Sequence, residues 1–177
     1  MTSISDGRRL GHAFAQHFAA SEGRLEQVVR YVEKSGVEIN AQESKTRDTM
    51  LHRAARGCHA DVVDWLCAHR ASPAPRNAQN RAALHEAAAA GCVPAVRSLL
   101  QSRAELTPLD KARQTPLHRA AACGRAEACA ALLDYRADGE GAVLPATAGA
   151  RPEEHVAMRD ALGYTALHLA AKVRDEY

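Results

Sequence analysis

Aromatic residues make up only 4% of this chain, and Trp65 is its single tryptophan. A core of stacked rings is therefore excluded, and Ala, Leu and Val must supply the burial. No run of about 18 consecutive apolar residues occurs, so the sequence holds no candidate membrane-spanning helix. Met1 to His12 carries Arg8 and Arg9 but lacks the apolar stretch of a secretory signal, and Asp6 argues against a mitochondrial transit peptide. Neither sign of charge dominates, with 23 Lys and Arg against 21 Asp and Glu, a net of +2. Also missing are a Walker loop, a dinucleotide glycine fingerprint, a G-x-S-x-G elbow and an H-E-x-x-H pair. With none of these, no catalytic, cofactor-binding or metal-binding residue is assigned, and the chain is not expected to be an enzyme.

What is present is repetition. Leu51-His52-Arg53-Ala54 returns as Leu84-His85-Glu86-Ala87, Leu117-His118-Arg119-Ala120 and Leu167-His168-Leu169-Ala170. The first two steps are 33 residues each, and the third is 50, one period plus 17, so an insertion precedes the last copy. Self-similarity at this period outranks any local motif. After each Leu-His come small residues (Ala54-Ala55, Ala87-Ala88, Ala120-Ala121), a Gly-containing turn and an apolar stripe ending in Leu66-Cys67, Leu99-Leu100 or Leu132-Leu133.

Each copy reads as a helical hairpin. Thr115 is placed to cap a helix that begins at Pro116, whose missing N–H would have no intrahelical partner there. Leu117, Ala120 and Ala121 share one face, and their small size admits a close neighbour. Gly91 permits positive φ at the helix turn, after which Val96, Leu99 and Leu100 form the stripe of the second helix. Asn77-Ala78-Gln79-Asn80 is a polar turn between units, with Asn80 suited to the left-handed conformation. One hairpin cannot bury its own apolar face, but about five stacked units share a continuous core.

The stretch Asp110-Lys111-Ala112-Arg113-Gln114-Thr115-Pro116-Leu117-His118-Arg119-Ala120-Ala121 resembles the ankyrin repeat, whose Asp, Thr-Pro-Leu-His and Ala-Ala signature it carries in order. Asp160 to Ala171 carries it again with Ala166 in place of Pro, and a weaker copy runs through His17, Ala19-Ala20, Gly23 and Leu25-Glu26. The resemblance implies an all-α ankyrin-repeat solenoid of helix-turn-helix units with β-turn fingers. It places an N-terminal extension at 1–12, repeats at about 13–43, 44–76, 77–109 and 110–138, an inserted loop at 139–157 and a half repeat at 158–177. It also implies that His52, His85, His118 and His168 are structural, each imidazole bonding neighbouring backbone, rather than a metal or catalytic set.

Five cysteines remain. Cys58, Cys92 and Cys123 fall near the helix turns of successive repeats and so line one edge. Equivalent positions of stacked helices lie roughly 10 Å apart, beyond the Cα separation of about 6.8 Å that a disulfide spans, so no bridge is expected. Cys67 and Cys129 take apolar positions on second helices and read as core. Cys58-His59 with Cys67 and His69 matches no zinc spacing. An odd count without paired spacing favours a reducing, cytoplasmic setting.

Surface residues then carry the function. The resemblance implies that partners bind at the finger tips and the exposed side of the first helices. Candidate contact residues there are Arg47, Arg53, Arg56, Arg81, Lys111, Arg113, Arg119 and Lys172, so the groove is expected to be basic and its partner a protein with an acidic surface or segment. A nucleic-acid or phosphate-rich partner on the same arginines is the alternative, disfavoured because no aromatic stacking residues accompany them. An accessory domain of an enzyme complex is a further reading. The last copy stops before a second helix, so Leu169 and Val173 are expected to form a second docking face at an uncapped end.

Overall fold

A computed structural model of the chain describes residues 15–135 and 152–175. The extension at 1–12 and the insertion from Gly139 to Arg151 lie outside these residues. Ten helices are described: α1 (15–21), α2 (Leu25–Glu33), α3 (Met50–Arg56), α4 (Ala60–Ala68), α5 (Ala83–Ala90), α6 (Val93–Gln101), α7 (Pro116–Ala122), α8 (Ala126–Asp134), α9 (Pro152–Ala157) and α10 (Ala166–Asp175). The first helices α3, α5, α7 and α10 stack in one layer, and α2, α4, α6 and α8 stack behind them. No strand occurs among the described residues.

The alanine pairs let the first helices approach. Ala54, Ala55, Ala87, Ala88, Ala120 and Ala121 are all buried, and Leu51, Leu84 and Leu117 beside them are 2%, 1% and 3% exposed. On the second layer Leu66, Leu99 and Leu132 occupy one register and close the core from behind. Trp65 lies at the margin, partly buried and stacked on His69 with ring centroids 3.9 Å apart.

The repeats that begin at α3, α5 and α7 open with a clasp built on a histidine. Thr49 caps α3 and Thr115 caps α7, each hydroxyl accepting from the amide three residues on. The histidine at that third position accepts the cap residue's N–H on Nδ1, as His85 does from Ala82 at 3.0 Å. Its Nε2 then carries the proton and donates to a carbonyl of the following finger: His17 to Ala41 (3.0 Å), His52 to Arg81 (2.9 Å), His85 to Gln114 (3.0 Å) and His118 to Tyr164 (3.2 Å). The last bond spans the insertion, so 17 extra residues leave the register intact.

The fingers are four-residue turns. Asn77 and Asp110 accept from the amides two and four residues on, and Asp160 does the same, folding each tip on its own side chain. Asn80 has φ 59°, as its sequence position implied, while Arg47 and Arg113 take the same left-handed conformation without an amide side chain. Tip amides bond to the preceding tip, Ala78 to Thr46 O, Lys111 to Gln79 O and Ala161 to Ala112 O.

Two expectations need correction. The insertion is not loop to its end, because Pro152–Ala157 is helical and buries His155 near His118. Cys58 and Cys92 form a disulfide with Cα atoms 5.2 Å apart, contrary to the spacing argument. That argument compared equivalent positions, whereas these two are 34 residues apart, one more than the period. The extra residue carries Cys92 across the turn towards the preceding repeat. Cys123 is exposed and Cys67 and Cys129 are partly buried against the core.

Burial pushes the His85 imidazole down to about 4 and lowers His52 as well. The unfolded chain therefore binds these protons first, and stability falls as pH drops from about 6.5 towards 4. The contribution of His85 over that window is about 3 kcal/mol. Urea denaturation from pH 7 to about 4 should show this loss, and His85→Gln should flatten the slope while lowering stability at pH 7.

Candidate partner-binding surface

The expected groove residues fall into two groups once their surroundings are seen. Arg53, Arg56 and Arg81 lie in a chain of ion pairs that runs across three repeats. Arg53 pairs with Glu43 and, at 3.1 Å, with Asp48. Arg56 grips Asp48 through two nitrogens at 2.9 and 3.3 Å and donates to Glu86 at 3.0 Å. Asn77 Nδ2 donates to both acids, at 3.0 Å to Asp48 and 3.2 Å to Glu86. Arg81 extends the chain to Asp110 at 3.4 Å, with Glu86 3.9 Å away.

The acids are the buried members. Asp48 and Glu86 are 1% and 6% exposed at their side chains, while the arginines keep partial contact with solvent. Burial alone raises the Asp48 carboxyl, but the hydrogen bonds and charge of Arg56, with Asn77, hold it below its ordinary range. Glu86 behaves likewise: burial opposes ionisation, and Arg56 and Arg81 overcome it. Arg56 is itself desolvated, yet its two acids raise it further. Four carboxylates (Glu43, Asp48, Glu86, Asp110) meet three guanidiniums here, a formal excess of one negative charge, so the middle of the groove is not basic.

The second group stays in solvent. Lys111, Arg113 and Lys172 are exposed and enter no ion pair among the described residues. Arg47 is exposed too, with only a 3.5 Å bond to Gln42. Lys45 is equally exposed and stands on the same finger as Arg47. Arg119 is partly buried and has no acid beside it, its Nε lacking a partner among the described residues. Among the groove candidates, the exposed and unpaired arginines Arg47 and Arg113 stand on finger tips, where each occupies the left-handed corner of its turn.

At the far end, Leu169 and Val173 are half-buried. Leu169 packs on the core, and Val173 lies against Gly124. The open position is Leu167, 67% exposed where its counterparts are buried. His168 accepts from the Thr165 amide as the other histidines do, but its Nε2 meets no finger carbonyl among the described residues. Sequence reasoning passed over Leu167 because it copied the buried leucine of each earlier repeat.

Stacked helical hairpins joined by finger turns, with an open row of polar tips, define a repeat solenoid. The sequence profile of ankyrin repeats in three tandem copies matches residues 16–110 and 74–143, and the chain belongs to the ankyrin-repeat family. Over 63 residues, 36% of this chain, it is 40% identical to the palmitoyltransferase AKR1 of Lachancea kluyveri. The matched segment is 8% of that relative's length, so the likeness concerns a repeat segment and not the whole relative. Ankyrin repeats as a class mediate contacts between proteins.

Breaking the network should cost far more than removing a tip charge. Arg56→Ala strands Asp48 and Glu86 with too few partners and should destabilise by about 3 kcal/mol, reduced from the fully buried case because Arg56 is partly exposed. Arg113→Ala should change stability by less than about 0.5 kcal/mol. Denaturant melts of the two variants, run in parallel, make the comparison.

Proposed function

We propose that the chain is a non-catalytic protein-binding module of the cytoplasm that holds an acidic segment of a partner along its finger edge. Lys45, Arg47, Lys111 and Arg113, with Arg119 and Lys172 on the first helices, make the contacts. Arg53, Arg56 and Arg81 act one step back, by fixing the fingers from which the free charges project. The observation that supports this most is the division of the cations: those in the middle of the groove are already matched by acids of the same chain, and those at the tips are not. Because the tip charges are solvated, each contributes modestly, and several acting together give a salt-sensitive affinity.

The test uses a fluorescent Asp/Glu-rich peptide and a single-stranded RNA of similar charge as probes, at low and physiological salt. The peptide should bind, weaken with salt, and lose roughly tenfold or more in affinity with Lys111→Glu and Arg113→Glu combined. RNA binding tighter than the peptide favours the phosphate-rich alternative. Unchanged affinity in the double variant removes the finger tips from the interface.

A second reading rests on α10. The outer face around Leu167, Leu169 and Val173 accepts a further helical-hairpin repeat, because Leu167 and His168 Nε2 stand in the register at which every earlier repeat is covered by the next. In this reading the chain is a repeat segment accessory to a larger assembly, an enzyme complex included. Fusing a designed ankyrin-type capping repeat after Tyr177 should raise the melting temperature by roughly 3–6 °C, about 1.5 kcal/mol of new burial at Leu167. No rise would mean that this face does not take a repeat.

A further inference from the structure

The edge opposite the fingers carries its own row of fasteners. The residue that follows each left-handed helix turn reaches back to the preceding repeat. His59 Nε2 bonds Ser21 O at 2.9 Å, and Arg125 Nε donates to Ala89 O at 3.2 Å. Between them, in the same register, stands Cys92, and its link to the preceding repeat is the bond to Cys58. Two of the three fasteners are hydrogen bonds to backbone, and the middle one is covalent. We propose that Cys58–Cys92 is a thiol–disulfide exchange site, a clasp between the second and third repeats that thiols of the glutathione or dithiol-protein class open and their disulfides close.

The two sulfurs differ in a way that sets the direction of attack. Cys58 sits on an exposed turn, at φ 57°, whereas Cys92 is 1% exposed and caps the amino end of α6. An incoming thiolate therefore meets Cys58 Sγ, and a new S–S bond forms there as the Cys58–Cys92 bond breaks. Cys92 departs with the electron pair. Burial opposes its negative charge, and the amino end of α6 favours it. The Cys92 thiolate takes a proton from water. A second thiol of the reductant then attacks the mixed disulfide, freeing Cys58, so that two electrons and two protons reach the protein and the reductant leaves as its disulfide.

Opening removes the fastener that the described residues show on this edge of that interface, because a cysteine thiol is too short and too weak a donor to do what His59 and Arg125 do. The second and third repeats are then joined through their packed helices and the finger edge alone, where His52, Asn77 and Arg56 hold. This role rests on the cytoplasmic setting proposed above, where a disulfide is usually transient and suits a clasp rather than a permanent brace.

The experiment uses the full chain. Oxidised glutathione should yield a Cys58–Cys92 linked peptide on non-reducing mapping. Limiting reduced glutathione, followed by acid quenching and alkylation, should leave the glutathione on Cys58 and the alkyl group on Cys92. Reductant should lower the melting temperature by on the order of 5–10 °C in the native chain and in Cys123→Ser, and leave Cys58→Gly unmoved. Glycine is chosen because Gly23, Gly91 and Gly124 hold the matching turns at positive φ, so this variant keeps the backbone conformation. Failure of the link to form, glutathione captured on Cys92, or an equal temperature shift in Cys58→Gly would overturn the proposal.

Discussion

The imidazole at the start of α3, α5 and α7 is the interaction on which the stack depends. It accepts an amide on one nitrogen, which forces the proton to the other, and that proton is delivered to the carbonyl of the next finger. Local and inter-repeat structure are thereby specified by one side chain. The helix cannot begin without placing the ring, and the placed ring fixes where the next finger must lie. This explains why His118 still reaches Tyr164 across the insertion: the register is held by geometry at the clasp rather than by the length of chain between repeats.

With the fingers fixed, charge can be sorted. Asp48 and Glu86 are buried because the close approach of the alanine-faced helices leaves no water beside them, and buried carboxylates persist only when matched. Arg56 and Arg81 supply the match from two adjacent repeats, so the ion network is also a set of inter-repeat struts. The arginines that look most available in a count of positive residues are for this reason the least available to a partner. Of those left over, Arg47 and Arg113 lie at tips, each exposed at the left-handed corner of its turn.

Much of this was legible in the residues. The 33-residue step, the Thr-Pro-Leu-His stretch and the small pairs identify the hairpins and the turns between them, because each depends on chemistry within one repeat, and the structural role of His52, His85 and His118 is what the ankyrin resemblance of those residues implies. What escaped depends on the relation between repeats. Spacing between equivalent positions argues against a disulfide between Cys58 and Cys92, and only the stacked structure shows that a one-residue offset closes the gap. The pairing of Arg56 with Glu86 and of Arg81 with Asp110 escapes a local reading for the same reason, since each acid lies further along the chain, on a neighbouring helix or finger. Pro152–Ala157 reads as the tail of a loop, between glycines and prolines, and its helix is held by burial of His155 that no local pattern announces.

The clasp is open to direct inspection by nitrogen-15 NMR of the imidazole rings at pH 6. His52 and His85 should each give one protonated nitrogen, Nε2, and one unprotonated nitrogen, Nδ1, with the Nε2 proton protected from exchange with water. Rings that are doubly protonated at that pH, or that carry the proton on Nδ1, would contradict the account, because neither form can accept the cap amide and donate to the next finger at once.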